Sequence, residues 1–198
     1  ISSVLMQHCN FAFNLIIGED NSIDSTREIC KEYAKRYPQI IKLLPNDTNI
    51  GVVRNYQKLF DMCTAPYIAI LEGDDYWTDT LKLQKQVDLL EKNANVGLVH
   101  TNYVLLNENG NKKQGHLLVR RTKLSGNVLV PSHLVDITIS PLTVCFKRDL
   151  LKLVDFEVIL KLKLSTVDFV LWTEFAHYTD FAYIDESTGV YRILATSI

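Results

Sequence analysis

Tyr67-Ile68-Ala69-Ile70-Leu71-Glu72-Gly73-Asp74-Asp75-Tyr76-Trp77 runs from an unbroken apolar stretch straight into a group of carboxylates. An apolar run without alternation is the pattern of a strand covered on both faces, and ligands of open α/β sheets sit beyond the carboxyl ends of such strands. Side chains two apart on an extended backbone point the same way, so Glu72 and Asp74 share a side while Asp75 enters the turn. Gly73 lets backbone or ligand come close. Hard cations such as Mg²⁺ and Mn²⁺ take oxygen ligands of this kind. An acidic turn can equally be the cap of a following helix, so the surroundings decide between the two.

Those surroundings alternate. Phe13 to Gly18 reads as a strand, Asp24 to Tyr37 as a helix with Ser25 and Glu28 in capping-box spacing, Ile40 to Leu44 as a strand and Val52 to Cys63 as a helix. After Tyr67 to Leu71 come a helix over Leu81 to Leu90 and a strand over Val96 to Leu106 that ends at Asn107-Glu108-Asn109-Gly110. This β-α-β-α-β-α-β order predicts an α/β fold whose central sheet is mainly parallel, with helices on both faces. The second half is mixed. A strand is expected near His116 to Arg120 and another over Leu142 to Phe146, helices over Asp149 to Leu160 and Val167 to Tyr178, and short strands over Phe181 to Ile184 and Gly189 to Ile193.

Composition bounds the function. The chain has 198 residues, is 47% hydrophobic and 22% charged, and carries a net charge of −2. That supports one domain spanning residues 1–198 with a full core, and it gives no basic field for a nucleic-acid backbone. No run reaches the ~20 apolar residues of a membrane span. Cys9, Cys30, Cys63 and Cys145 are widely spaced and read as reduced residues of a cytoplasmic protein. His8, His100, His116, His133 and His177 show no metal spacing.

A second acidic loop, Glu19-Asp20-Asn21-Ser22-Ile23-Asp24, follows the first strand and falls on the same rim as Glu72, Asp74 and Asp75. Taken alone it is a polar loop with a helix cap. Carboxylates gathered on one rim repel unless a cation or ligand compensates.

Three segments together resemble family 2 glycosyltransferases of the GT-A fold. Ile16 to Thr26 resembles that family's Val-Asp-Asp-Gly-Ser-Thr-Asp-Gly-Thr segment, and Asn49-Ile50-Gly51-Val52-Val53-Arg54-Asn55 resembles its Asn-x-Gly-x-x-x-Ala-Arg-Asn helix start. Glu72-Gly73-Asp74-Asp75 resembles its Asp-x-Asp metal motif. The resemblance implies that Asp20 contacts the nucleotide base, that Arg54 and Asp74 lie at the nucleotide, and that Asp75, Asp74 and Glu72 hold Mn²⁺ or Mg²⁺ on the diphosphate. Asp168, opening a late helix, then matches the family's catalytic acid, although Val167 stands where many relatives carry Glu or Gly. Without the resemblance, an aspartate there reads as a helix cap. Trp77 and Trp172 are weaker candidates for sugar or acceptor contact.

The activity implied is inverting transfer of a sugar from a nucleotide-diphosphate sugar, a UDP-sugar first, to a glycan or lipid-linked acceptor in polysaccharide synthesis. The N-terminal half would bind nucleotide and the C-terminal half acceptor, with peripheral association at the inner membrane face through that acceptor. A sugar-phosphate nucleotidyltransferase and a catalytically inactive nucleotide-binding domain are the alternatives. Ile1 to Gln7 resembles the end of the family's first helix, so the expectation is a sequence belonging to a longer chain.

Overall fold

The computed structural model describes residues 1–114, 139–164 and 166–194. After a short helix α1 (Ser2–Leu5), the first half alternates as expected: β1 (Leu15–Glu19), α2 (Thr26–Arg36), β2 (Ile41–Pro45), α3 (Val52–Asp61) and β3 (Tyr67–Ala69). Then follow β4 (Tyr76–Trp77), α4 (Lys82–Lys92), β5 (Val96–Asn107), β6 (Lys112–Gln114), β7 (Cys145–Lys147), α5 (Phe156–Lys161), α6 (Val167–Ala176) and β8 (Asp180–Ile193).

Strands β1 and β2 form a parallel pair, and the larger sheet has the order β3-β7-β5-β8-β4 with β6 on the free stretch of β5. Within the larger sheet β5 and β8 run parallel, while the other described pairs are antiparallel. The sheet is therefore mixed rather than mainly parallel. β7, from the second half of the chain, inserts between β3 and β5, two strands that the sequence order alone makes neighbours.

Alternation along these strands accounts for the layers. Ile68, Leu98, Phe146 and Phe181 pack with Val53 and Phe60 of α3, Ile159 of α5 and Leu171, Trp172 and Phe175 of α6. The adjacent residues Ala69, Val99, Cys145 and Ala182 face Val87 and Leu90 of α4. Both faces are covered, which is why the strands read as continuous apolar runs. Phe146 is the hub, with ring centroids 6.2 Å from Phe60, 6.0 Å from Trp172 and 5.2 Å from Phe175.

Several boundaries differ from expectation for local reasons. Ser25 makes no side-chain cap; Asp24 Oδ1 instead accepts the Thr26 N–H at 2.9 Å. The helix expected over Asp149 to Leu160 divides into a 3₁₀ segment, Arg148–Leu153, and α5, because Asp155 accepts the N–H groups of Glu157 and Val158 and starts a new helix. The two last strands are one, since β8 bulges. Thr101 pairs with Ile184 but Asn102 with Ser187, leaving Asp185 and Glu186 looped out. The strand expected over 116–120 lies outside the described residues. No described helix is long and apolar enough to cross a membrane.

Candidate functional site

Strand β3 ends at Ala69, and the chain then turns so that the Asp75 N–H meets the Glu72 carbonyl at 3.2 Å. Trp77 anchors the far side of this turn. Its indole N–H donates to the Leu142 carbonyl at 2.9 Å, and its ring lies 4.6 Å from the Lys82 ammonium. Lys82 is wholly buried and donates to Gln86 Oε1 at 2.5 Å; Gln86 in turn donates to the carbonyls of Val99 and Thr143. Burial pulls the Lys82 ammonium down to about 7. β4 pairs antiparallel with β8, and Gly189 permits the approach: a Cβ there would meet Leu142 Cδ1 at 2.5 Å. Around Gly73, by contrast, an added Cβ meets no protein atom within 4 Å, so the protein itself does not demand glycine there.

Held this way, Glu72, Asp74 and Asp75 each present a carboxylate oxygen, all within 4.8 Å of one another. Burial, then the charges of Asp75, Asp74 and Asp168, push the Glu72 carboxyl up to about 7. Asp75 rises to about 6, chiefly through burial. Its Oδ1 accepts the Arg192 N–H at 2.9 Å, while Oδ2 is buried with no hydrogen-bond partner. An orphaned buried carboxylate oxygen beside two further oxygen donors is what a hard divalent cation fits. These residues suit Mn²⁺ or Mg²⁺ better than a softer metal, since no nitrogen or sulfur ligand belongs to the group.

Asp168, on α6, lies within electrostatic reach of that cluster. It lies in the first turn, while Thr166 occupies the cap position. Burial raises its carboxyl above the usual range, and its charge reaches Glu72, Tyr56 and Tyr191. Three acids from one turn thus stand together, and a fourth from a distant segment acts on Glu72 electrostatically.

Asp20 has other company. Its Oδ1 accepts from Asn46 Nδ2 and the Ile50 N–H, and its Oδ2 from the Gly51 N–H, each at 2.9 Å. Gly51 has φ +83°, a backbone state that glycine adopts without strain, and it starts α3. The rest of the first acidic loop is internally satisfied. Arg27 pairs with buried Glu19 at 2.5 Å, and Ser22 N–H with Arg27 outweighs burial to hold the Glu19 carboxyl below its usual range. Arg54 stands exposed in the first turn of α3.

The tryptophans are corrections. Trp77 and Trp172 are each 3% exposed, and Trp172 donates its indole N–H to the Ile139 carbonyl at 2.9 Å. Both are core residues with no ring face open to a sugar. Three residues at the site escape the sequence motifs. The Tyr56 hydroxyl lies 3.3 Å from Glu72 Oε1, Tyr191 senses all four acids, and Arg192 bonds through its side chain to the Asp74 carbonyl. The one signal for Arg192 is a lone charge in the apolar strand Gly189-Val190-Tyr191-Arg192-Ile193.

Comparison with known proteins agrees with this architecture. The model of the family "Glycosyl transferase family 2" matches residues 1–150. The chain therefore belongs to glycosyl transferase family 2. It is 31% identical over 173 residues to the Escherichia coli enzyme UDP-Glc:alpha-D-GlcNAc-diphosphoundecaprenol beta-1,3-glucosyltransferase WfgD, covering 87% of this chain and 61% of WfgD. In fold it is similar to the 1–349 portion of S. aureus TarS in complex with UDP, with a TM-score of 0.68 and 16% identity over 97% of this chain and 55% of that one. It is also similar to the mannosyltransferase PcManGT of Pyrobaculum calidifontis in complex with GDP-Man and Mn²⁺, with a TM-score of 0.65 and 13% identity over 98% of this chain and 52% of that one. The chain spans less than two thirds of the length of these relatives. Fold and family together place the chain among the GT-A domains of glycosyl transferase family 2.

Proposed function

We propose that this domain transfers a sugar, with inversion, from a nucleoside-diphosphate sugar to a hydroxyl of a glycan or lipid-linked acceptor, and that Asp168 is the general base. The observation that carries the reading is the Glu72, Asp74 and Asp75 cluster, with the charge of Asp168 acting on Glu72. A UDP-sugar is the first donor to test, since WfgD is named for one.

In a single displacement the acceptor oxygen forms its bond to the anomeric carbon as the bond to the diphosphate oxygen breaks, and the hydroxyl proton passes to Asp168. A carboxyl raised by burial keeps that proton more readily than an exposed one, which strengthens it as a proton acceptor. Glu72, Asp74 and Asp75 would hold Mn²⁺ or Mg²⁺; when bound, the cation neutralises charge on the departing diphosphate. Arg192 and the Trp77 anchor keep the acid turn in place from behind. Asp20 shapes the Asn46–Gly51 loop and start of α3, and its three protein donors leave one of roughly four lone-pair sites for a base N–H. Arg54, exposed in the first turn of α3, would meet the nucleotide's phosphate charge.

The test is Asp168→Asn in a purified enzyme assayed with UDP-sugars and Mn²⁺. Turnover should fall by about 10²- to 10⁴-fold while calorimetric affinity for UDP with Mn²⁺ stays within about threefold. Undiminished turnover rejects Asp168 as base; absence of nucleotide binding by the parent protein rejects the transferase reading altogether.

A further inference from the structure

Eleven large apolar side chains stand exposed among the described residues, and four of them cluster in one short stretch of chain. Val158 (47% exposed) projects from α5, Leu162 (61%) and Leu164 (37%) follow its end, and Phe169 (47%) lies in the first turn of α6 next to Asp168. Lys161 and Lys163 alternate with the two leucines, and all four residues of Lys161-Leu162-Lys163-Leu164 are exposed. Neither lysine has an ion-pair partner among the described residues. The turn keeps its shape in spite of a positive φ of 54° at Lys163, because the N–H groups of Leu162, Lys163 and Leu164 all return to α5 carbonyls. The acids of α5 lie at its opposite end, where Asp155 caps the helix and Glu157 follows.

Apolar tips interleaved with unpaired ammonium groups on a folded corner match an interface with apolar depth and negative surface charge. A protein partner with an acidic rim would meet the same groups, but the strict alternation along Lys161-Leu162-Lys163-Leu164, which sets each ammonium beside an apolar tip, favours a boundary where phosphate and acyl chain lie in adjacent layers. We propose that the α5–α6 corner docks this domain on an anionic lipid bilayer, with Val158, Leu162, Leu164 and Phe169 entering the headgroup boundary and Lys161 and Lys163 meeting lipid phosphates. With two lysines and four apolar tips the docking is weak and reversible, since durable attachment takes stronger signals. Resting on the assignment of Asp168 as base, the same corner brings the reactive carboxylate close to the membrane surface, where a lipid-linked hydroxyl would be presented.

The experiment is flotation of the purified protein with vesicles of phosphatidylcholine alone and of phosphatidylcholine with 30% phosphatidylglycerol. Binding should require the anionic lipid and weaken between 50 and 300 mM NaCl. Combining Lys161→Gln, Leu162→Asn, Lys163→Gln and Leu164→Asn, all at exposed positions, should lower the partition coefficient about tenfold or more at an unchanged melting temperature. Asp168→Asn should bind vesicles as the parent does, so loss of turnover and loss of docking remain separate results. Binding that is absent, independent of phosphatidylglycerol or indifferent to the quadruple variant overturns the proposal. So does a dimer by light scattering that the quadruple variant converts to monomer, which would assign the corner to a second copy of the chain.

Discussion

Trp77 shows how one side chain can serve a site without touching a ligand. Its indole closes the core under the acid turn, satisfies the Leu142 carbonyl and faces the Lys82 ammonium. Trp77→Phe leaves that carbonyl buried and unpaired, so the protein should lose about 1–3 kcal/mol, read as a lower urea midpoint at unchanged m. Acceptor KM should move little, whereas a stacking role would move it strongly. Lys82 makes a contrasting case. Its folded-state value near 7 lies below the ordinary 10.5, so the unfolded chain binds the extra proton across that interval and stability rises with pH through it. Lys82→Met should erase that slope between pH 7 and 10 in a series of melting temperatures, and at pH 7 it should cost about 1–3 kcal/mol because Gln86 Oε1 is left buried without its donor.

Among the elements, the two caps separate what spacing suggests from what the backbone uses. Ser25 carries the sequence signature and makes no cap bond, whereas Asp155 accepts two N–H groups. Ser25→Ala should change stability by less than about 0.5 kcal/mol, and Asp155→Ala should cost about 1 kcal/mol, measured by chemical denaturation of both. The same contrast marks how far the sequence was readable. Strands such as Tyr67–Ala69 and Val96–Asn107 were legible because burial on both faces writes itself as an apolar run. The acid turn was legible because the carboxylates are adjacent in sequence. The insertion of β7 between β3 and β5 was not, since pairing partners leave no local trace, and neither was the bulge at Asp185 and Glu186, where Asp-Glu-Ser-Thr imitates a turn. The tryptophans misled for a related reason: nearness in sequence to a metal motif says nothing of which way a ring faces.

For the whole molecule, the acid cluster makes stability depend on pH in a definite sense. Glu72 titrates near 7 in the fold against 4.5 in the unfolded chain, so between those values the native state holds more protons and stability falls as pH rises. Asp75, near 6 against 3.8, acts in the same direction, and His100, near 4 against 6.5, acts in the opposite one. Glu72→Gln isolates the first contribution: relative to the parent, the variant should gain melting temperature from pH 5 to pH 8. Mn²⁺ should narrow that gap at pH 8 by stabilising the parent more than the variant, and its affinity for the parent should weaken below pH 7 as Glu72 takes up a proton.

The bond from the Arg192 N–H to Asp75 spans 117 positions of chain. On a ribosome the acid turn emerges long before the strand that secures it, so a nascent polypeptide stopped short of β8 would carry its whole cluster of negative groups without the donor that steadies them. The acid turn therefore waits for β8, and a polypeptide interrupted within β8 would lack the backbone donor that holds Asp75.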